Sequence, residues 1–158
     1  VKAEFIVVLE WDEDASDDID LWMQLDTNKP VGFTNREDTP LHLDRDDLGT
    51  TNDRIVVDGE VVFIKTNRET ITIRGVIPGD YFVTVHMYSK KAASVPYTVT
   101  VMKVNPFRQI YSLTGKFLIN REIQRLPAFT VDANGRVKSV FQHFKEIVPQ
   151  KSGAGQQW

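Results

Sequence analysis

The sequence predicts an all-β protein, most economically a two-sheet antiparallel β-sandwich of about seven to nine strands. Apolar residues recur at every second position along most of the chain, which is typical of strands with one buried face. β-branched and aromatic residues are enriched in these segments, and turn residues separate them. No window of a dozen residues has the spacing and caps of a helix. A single closed sheet is the alternative, and the sequence leaves the strand order open.

The strands follow from this alternation, taken in chain order. Two early strands have apolar residues at alternate positions, namely Phe5, Val7, Leu9 and Trp11, and then Leu21, Met23 and Leu25. Further strands are predicted over residues 30–34, 54–57 and 61–64, around Ile71 and Ile73, and over residues 81–88, 97–104, 109–119, 128–131 and 137–141. In residues 81–88 the alternation places Tyr81, Val83, Val85 and Met87 on one face, and Phe82, Thr84, His86 and Tyr88 on the other.

Turn signals separate these segments. They are Asp58-Gly59, Pro78-Gly79-Asp80 and the run from Asp132 to Gly135. Residues 90–94 predict a hairpin tip between two long strands. A chain of 158 residues suits one domain, which we expect to span residues 1–148, followed by a flexible C-terminal tail over residues 149–158.

Charge is distributed unevenly along the chain. Residues 1–60 hold 17 of the 22 acidic residues but only 5 of the 19 basic ones. The basic residues are scattered along strands without clustering, which argues against a nucleic-acid partner. The absence of cysteine excludes disulfides and thiolate metal ligands. No apolar run is long enough to span a membrane, so we expect membrane attachment only through a segment upstream of Val1.

Two acidic segments, Asp17-Asp18-Ile19-Asp20 and Asp44-Arg45-Asp46-Asp47, predict a cation site. In the first, alternation places Asp18 and Asp20 on the same side of a strand. Calcium takes about six to eight oxygen ligands, so two converging pairs of carboxylates could hold it with help from other oxygens. The predicted metal ligands are Asp18, Asp20, Asp44, Asp46, Asp47 and Asp53. The cation is calcium or, as the alternative, magnesium.

Other interpretations of the same residues remain open. The acidic segments could be a solvated surface neutralised by Arg36, Arg45 or Arg54, although surface ion pairs contribute only about 0–1 kcal/mol each. His42 shares a strand side with Asp44 and is either an added ligand or a structural hydrogen-bond partner. Trp11, Trp22 and Tyr88 could stack on a sugar, with Trp22 exposed beside the acidic loops, or Trp22 could be buried.

Catalysis has little support in the sequence. The three histidines lie in separate segments, and no Gly-x-Ser-x-Gly motif, phosphate-binding loop or cysteine nucleophile is present. Paired carboxylates also suit metal-dependent hydrolysis, but no general base can be named. We therefore expect a protein that is not an enzyme, with a metal-dependent hydrolase as an alternative.

Several segments carry a resemblance to known proteins, namely Trp11 to Trp22, Phe33 to Arg36, His42 to Gly49 with Asn52-Asp53, Pro78 to Val83, and His86 to Tyr88. Over roughly residues 3–140 the chain resembles a family of uncharacterised bacterial envelope β-sandwich proteins with Asp-rich loops. It is more distantly similar to YfaP-type domains and to TerD-type domains, which bind calcium through aspartate loops. The second acidic loop departs from the TerD pattern, so the resemblance implies calcium only at Asp18, Asp20, Asp44 and Asp46.

The resemblance implies a domain that follows one transmembrane helix and faces the periplasm. We therefore expect a periplasmic or extracytoplasmic, non-catalytic binding or assembly module, stabilised by calcium, with a protein partner or a polysaccharide in the envelope. The alternative is a structural subunit of a phage virion or a secretion-type particle.

Overall fold

The computed structural model describes residues 2–45, 54–63 and 67–149, with backbone alone at residues 45, 54–57 and 60–63. These residues form only strands, turns and connecting segments. The strands are β1 (Ala3–Trp11), β2 (Asp18–Leu25), β3 (Glu37–Asp38), β4 (Leu41–Arg45), β5 (Arg54–Val57), β6 (Glu60–Phe63), β7 (Arg68–Arg74), β8 (Gly79–Ser89), β9 (Val95–Lys103), β10 (Arg108–Phe117), β11 (Ile123–Val131) and β12 (Val137–Phe141).

Ten of the strands form two antiparallel sheets, which confirms the predicted β-sandwich. The six-stranded sheet has the order β10-β9-β1-β7-β4-β3, and the four-stranded sheet has the order β12-β11-β8-β2. Strands β5 and β6 form a separate hairpin whose turn has Asp58 and Gly59 at positive φ, as the Asp-Gly signal predicts. The two sheets therefore contain slightly more strands than the seven to nine expected.

Alternating side chains of the two sheets form one buried core. The four predicted inward residues of β8, Tyr81, Val83, Val85 and Met87, are all fully buried in it. They pack with inward residues of β1, β2, β7 and β9, including Leu9, Leu21, Ile71 and Val99. The alternation therefore assigns the faces of β8 correctly, because successive side chains of a strand point to opposite sides.

Two local predictions are wrong. Residues 30–34 make only isolated bridges, Met23 to Val31 and Gly32 to Asn35, since Pro30 has no N–H to donate and the segment packs over Trp22. Residues 90–94 do not form a hairpin tip, because they connect β8 of one sheet to β9 of the other.

The outer face of the four-stranded sheet carries a second, smaller core. Trp22 is fully buried there with Ile147 and Val148, and Phe33 and Phe82 pack against them. Ile147 and Val148 belong to residues 142–149, an irregular segment after β12 that we call the C-terminal strap. Of the two alternatives for Trp22, exposed or buried, the structure therefore shows the buried one, because the strap and Phe33 cover it. Of the predicted flexible tail, residues 150–158 lie outside the described residues.

Among the residues that the structure describes, no helix is long and apolar enough to cross a membrane.

Candidate metal centre

Two strands from different sheets bring three carboxylates together. Asp18 and Asp20 lie on β2, an edge strand of the four-stranded sheet, and Glu69 lies on β7 of the six-stranded sheet. One ligand oxygen from each residue lies within 4.8 Å of the others. Asp20 and Glu69 are buried and Asp18 is half-buried. We call this group the carboxylate triad.

Glu69 reaches the triad from the inside of the sandwich. It shares the inward face of β7 with Ile71 and Ile73, and its exposure is 0%. Its Oε1 accepts a hydrogen bond of 2.9 Å from the backbone N–H of Leu21. Because β2 is an edge strand, no neighbouring strand offers this N–H a carbonyl on that side. The Glu69 carboxylate supplies the acceptor instead. Glu69 therefore links the two sheets at the edge.

The acidic loop that precedes β2 is held next to the triad by two polar side chains. Asn67 is buried, and its Nδ2 donates to the carbonyls of Asp12 at 2.6 Å and Ala15 at 2.7 Å. The Asp17 carboxylate accepts the N–H groups of Lys91 and Ala92, the latter at 3.0 Å. These bonds connect the loop to the start of β7 and to the crossover between the sheets. They therefore hold the start of β2 in place beside β7.

His86 lies beside the triad and contributes little positive charge near neutral pH. It pairs with Asp20 across strands β2 and β8, and its Nδ1 lies 3.9 Å from Asp20 Oδ2. Burial lowers the pKa of His86 to about 4, and the nearby Arg121 guanidinium acts in the same direction. The ring is therefore neutral at pH 7 and does not neutralise a carboxylate there.

The triad has the chemistry of a hard-cation site. Calcium binds carboxylate oxygens at about 2.3–2.6 Å, so oxygens up to about 5 Å apart can contact one ion. Three side-chain oxygens fill half of a calcium coordination sphere or less, so carbonyls, second carboxylate oxygens or water would supply the rest. Three carboxylates so close together repel each other, and a divalent cation would remove that repulsion.

The predicted ligands fall into three groups. Asp18 and Asp20 lie together in the triad, as the alternation predicts. Asp44 lies elsewhere, on the outer face of the six-stranded sheet, where its Oδ1 accepts a hydrogen bond of 2.6 Å from Arg74 Nη2. Asp46, Asp47 and Asp53 lie outside the described residues, and their assignment as ligands stays a prediction.

The sequence reasoning missed Glu69, although a signal for it was present. In Glu69-Thr70-Ile71-Thr72-Ile73 the alternation that makes the isoleucines inward residues also makes Glu69 an inward residue. A carboxylate at an inward position is rarely buried without a partner group. His42, by contrast, has the structural role: its Nδ1 lies 2.9 Å from Glu37 Oε1 and its Nε2 lies 3.5 Å from Asp44 Oδ1.

The three aromatic residues considered for sugar stacking are engaged within the protein. Trp11 is buried, and its Nε1 donates to the Asp17 carbonyl at 2.9 Å. Trp22 is fully buried, and the Arg121 guanidinium lies 4.9 Å from the centre of the Tyr88 ring. These rings therefore form no open stacking platform.

Comparison with models of protein families, with curated proteins and with solved structures found no match to this chain. The fold and the triad define a β-sandwich with a buried acidic group at one sheet edge.

Proposed function

We propose that this protein is a non-catalytic β-sandwich module for binding or assembly, and that its fold is stabilised by a calcium ion at Asp18, Asp20 and Glu69. The observation that carries the proposal is the meeting of three carboxylates from two sheets, two of them buried. Burying like charges together is costly unless a cation or protons neutralise them. A cation held by β2 and β7 would link the two sheets at their edge.

Calcium fits the triad better than the other common cations. Its coordination geometry is flexible and its ligands are oxygens, whereas magnesium requires near-ideal octahedral geometry and usually keeps several waters. Zinc and related metals favour imidazole and thiolate ligands, and the triad as defined contains neither.

The burial of the triad favours a structural role over hydrolysis. A catalytic metal keeps an open coordination position where water and substrate can react. Asp20 is 1% exposed and Glu69 is 0% exposed, which leaves little access for a substrate at these two ligands. We therefore consider a metal-dependent hydrolase less well supported than a structural module.

We also propose an extracytoplasmic location, with a protein or polysaccharide of the envelope as partner. Calcium modules that work outside the cytoplasm bind with dissociation constants of about 10⁻⁴–10⁻³ M, a range that a site with few carboxylates can reach. A subunit of a virion or a secretion-type particle is the second candidate, since the long edge strand β10 would also suit assembly.

Direct calcium binding, measured by isothermal titration calorimetry and by differential scanning calorimetry, tests the proposal. We expect one calcium ion per chain and an unfolding temperature that rises with calcium concentration, because a ligand that binds only the folded state stabilises it by RT ln(1 + [L]/Kd). Asp18→Asn and Asp20→Asn should weaken or abolish both effects. Asp44→Asn changes a ligand that the sequence predicted but that the structure pairs with Arg74, outside the triad. If the triad is the site, this variant should keep both effects.

Asp132→Asn is the matched control. Asp132 Oδ1 accepts the N–H groups of Asn134 and Arg136 in the β11–β12 turn, and an asparagine oxygen can accept the same bonds. This turn lies near the Gly79 end of β8, whereas Asp18 pairs with Ser89 at the other end. Asp132→Asn should bind calcium like the wild type. Equal calcium effects in the Asp20 and Asp132 variants, or no binding at millimolar calcium, would exclude the triad as the site.

A further inference from the structure

The C-terminal strap is attached to the four-stranded sheet by side chains and a few polar contacts. Its residues form no strand, and Ile147 and Val148 insert beside Trp22. Phe144, in the middle of the strap, is 82% exposed. The strap therefore depends on few contacts, so a change at one of them can alter its docking.

His143 is a buried polar residue of the strap, and both of its ring nitrogens are used. Its Nε2 lies 3.1 Å from the carbonyl oxygen of Val83 on β8, and the backbone N–H of Lys145 donates to its Nδ1 at 3.1 Å. A carbonyl can only accept, so Nε2 carries the proton; an amide N–H can only donate, so Nδ1 carries the lone pair. The docked strap therefore requires the neutral ring with its proton on Nε2.

A proton on Nδ1 would disrupt this arrangement. It would place two donors, Nδ1–H and the Lys145 N–H, against each other, and His143 is only 5% exposed, so water cannot easily separate them. The aromatic ring of Phe82 packs edge-on to His143 with centroids 5.1 Å apart. The protonated ring would lose a bond and gain a buried charge.

Two cations near His143, those of Arg125 and Lys145, add to the cost of protonating its ring. Arg125 of β11 donates from Nε to the Lys145 carbonyl at 3.1 Å and pairs with Glu146. The Lys145 ammonium lies 4.4 Å from the centre of the Phe82 ring and donates to the carbonyl of Asp26. Glu146 is the acidic group of the strap, but it is exposed and engaged with Arg125. On β8, His86 faces outward like Phe82 and is neutral at pH 7.

We propose that the C-terminal strap is a pH-sensitive latch, which stays docked while His143 is neutral and is released when the ring is protonated. Release uncovers Trp22 and the apolar surface beneath Ile147 and Val148 on the outer face of the four-stranded sheet. The module thus exposes a new apolar surface in acid.

The direction of the pH effect follows from the docked state. Burial lowers the pKa of His143, hydrogen bonds with the backbone at Val83 and Leu126 act in the opposite direction, and Arg125 and Lys145 lower it further. The released strap has an ordinary histidine pKa of about 6.5 and takes up a proton first as the pH falls. The ratio of released to docked strap therefore rises below pH 6.5, by up to about tenfold per pH unit until the docked ring also titrates.

Hydrogen–deuterium exchange of the intact protein at pH 7.5 and 5.5 tests the latch, with times corrected for the intrinsic exchange rate. We expect the protection of peptides from residues 142–149 to fall by up to about tenfold at pH 5.5. Peptides from β9 in the other sheet, residues 95–103, serve as an internal reference and should keep their protection. In His143→Gln the protection of the strap should no longer depend on pH.

Three results would overturn the latch. Strap protection that does not change between the two pH values would do so, as would the same pH dependence in His143→Gln. If that variant does not fold, an NMR titration of the His143 ring in the wild-type protein decides. A pKa at or above about 6.5 would mean that docking does not disfavour the protonated ring.

Discussion

Replacing Glu69 separates the two roles that the structure gives this residue, a hydrogen bond and a charge. In Glu69→Gln the side-chain oxygen can still accept the 2.9 Å bond from Leu21 N–H, but the negative charge is lost. In Glu69→Ala both are lost, and the Leu21 N–H remains buried with no acceptor. We therefore expect the two variants to differ without calcium and to behave alike in their response to it.

The magnitudes follow from the burial of the site. Leaving a buried N–H without its acceptor costs about 1–3 kcal/mol, so Glu69→Ala should be less stable than Glu69→Gln in chelator by about that amount. Glu69→Gln should be about as stable as the wild type in chelator, or more stable, because one of three repelling charges is gone. At a calcium concentration of 100 Kd the wild type gains about 2.7 kcal/mol. For a domain of this length that corresponds to about 5–11 °C in the unfolding temperature.

Differential scanning calorimetry with chelator and with calcium measures both effects in the three proteins. The expected result is a calcium-dependent rise in the wild type alone, together with a lower unfolding temperature of Glu69→Ala in chelator. A normal calcium response of Glu69→Gln would show that the Glu69 carboxylate is not a ligand. A loss in Glu69→Gln equal to that in Glu69→Ala, measured in chelator, would refute the role of the Leu21 bond.

Two further predictions concern the rest of the fold. Gly32→Ala would place a Cβ 2.5 Å from Trp22 Cε2. We therefore expect the free energy of unfolding, measured in urea, to fall by about 1–3 kcal/mol. An unchanged urea midpoint would contradict the close packing of Gly32 against Trp22. Burial raises the pKa of Tyr97 to about 12, with Glu122 adding to the effect, and burial also raises the pKa of Tyr111. The stability that these two neutral phenols contribute is complete below pH 10 and is lost as the pH rises from 10 towards 12. Absorbance at 295 nm, which measures tyrosinate, should therefore rise together with unfolding. Ionisation of Tyr97 and Tyr111 near pH 10 while the protein stays folded would contradict this prediction.

The faces of the strands could be predicted from the sequence because the period of two is a local property of an extended backbone. Asp18 and Asp20 share one side of β2, and Ile19 and Leu21 face the core. The Asp58-Gly59 turn was predictable for the same reason, since positive φ at both positions is a property of the dipeptide itself. Such predictions require no knowledge of the neighbouring strand.

Predictions that depended on which strands are neighbours succeeded less well. The segment from Lys90 to Ser94 has the composition of a hairpin tip, but its flanking strands belong to different sheets. Trp22 lies on the side of β2 away from the core, as the alternation requires, yet it is buried because residues more than 100 positions later cover it. The period of a strand says which way a side chain points and not what lies above it.

The sequence by itself therefore determined the all-β class, the strand faces and one pair of the carboxylates, Asp18 and Asp20. Only the tertiary structure decided that Glu69 joins them, although it accepts a hydrogen bond from a residue 48 positions earlier, and that Asp44 pairs with Arg74 instead. It also decided that His143 of the strap packs against β8 with both ring nitrogens bonded. The reason is physical: alternation depends on neighbouring residues along one strand, whereas these contacts depend on the strand order and on how the two sheets pack. The alternation pattern specifies neither of these.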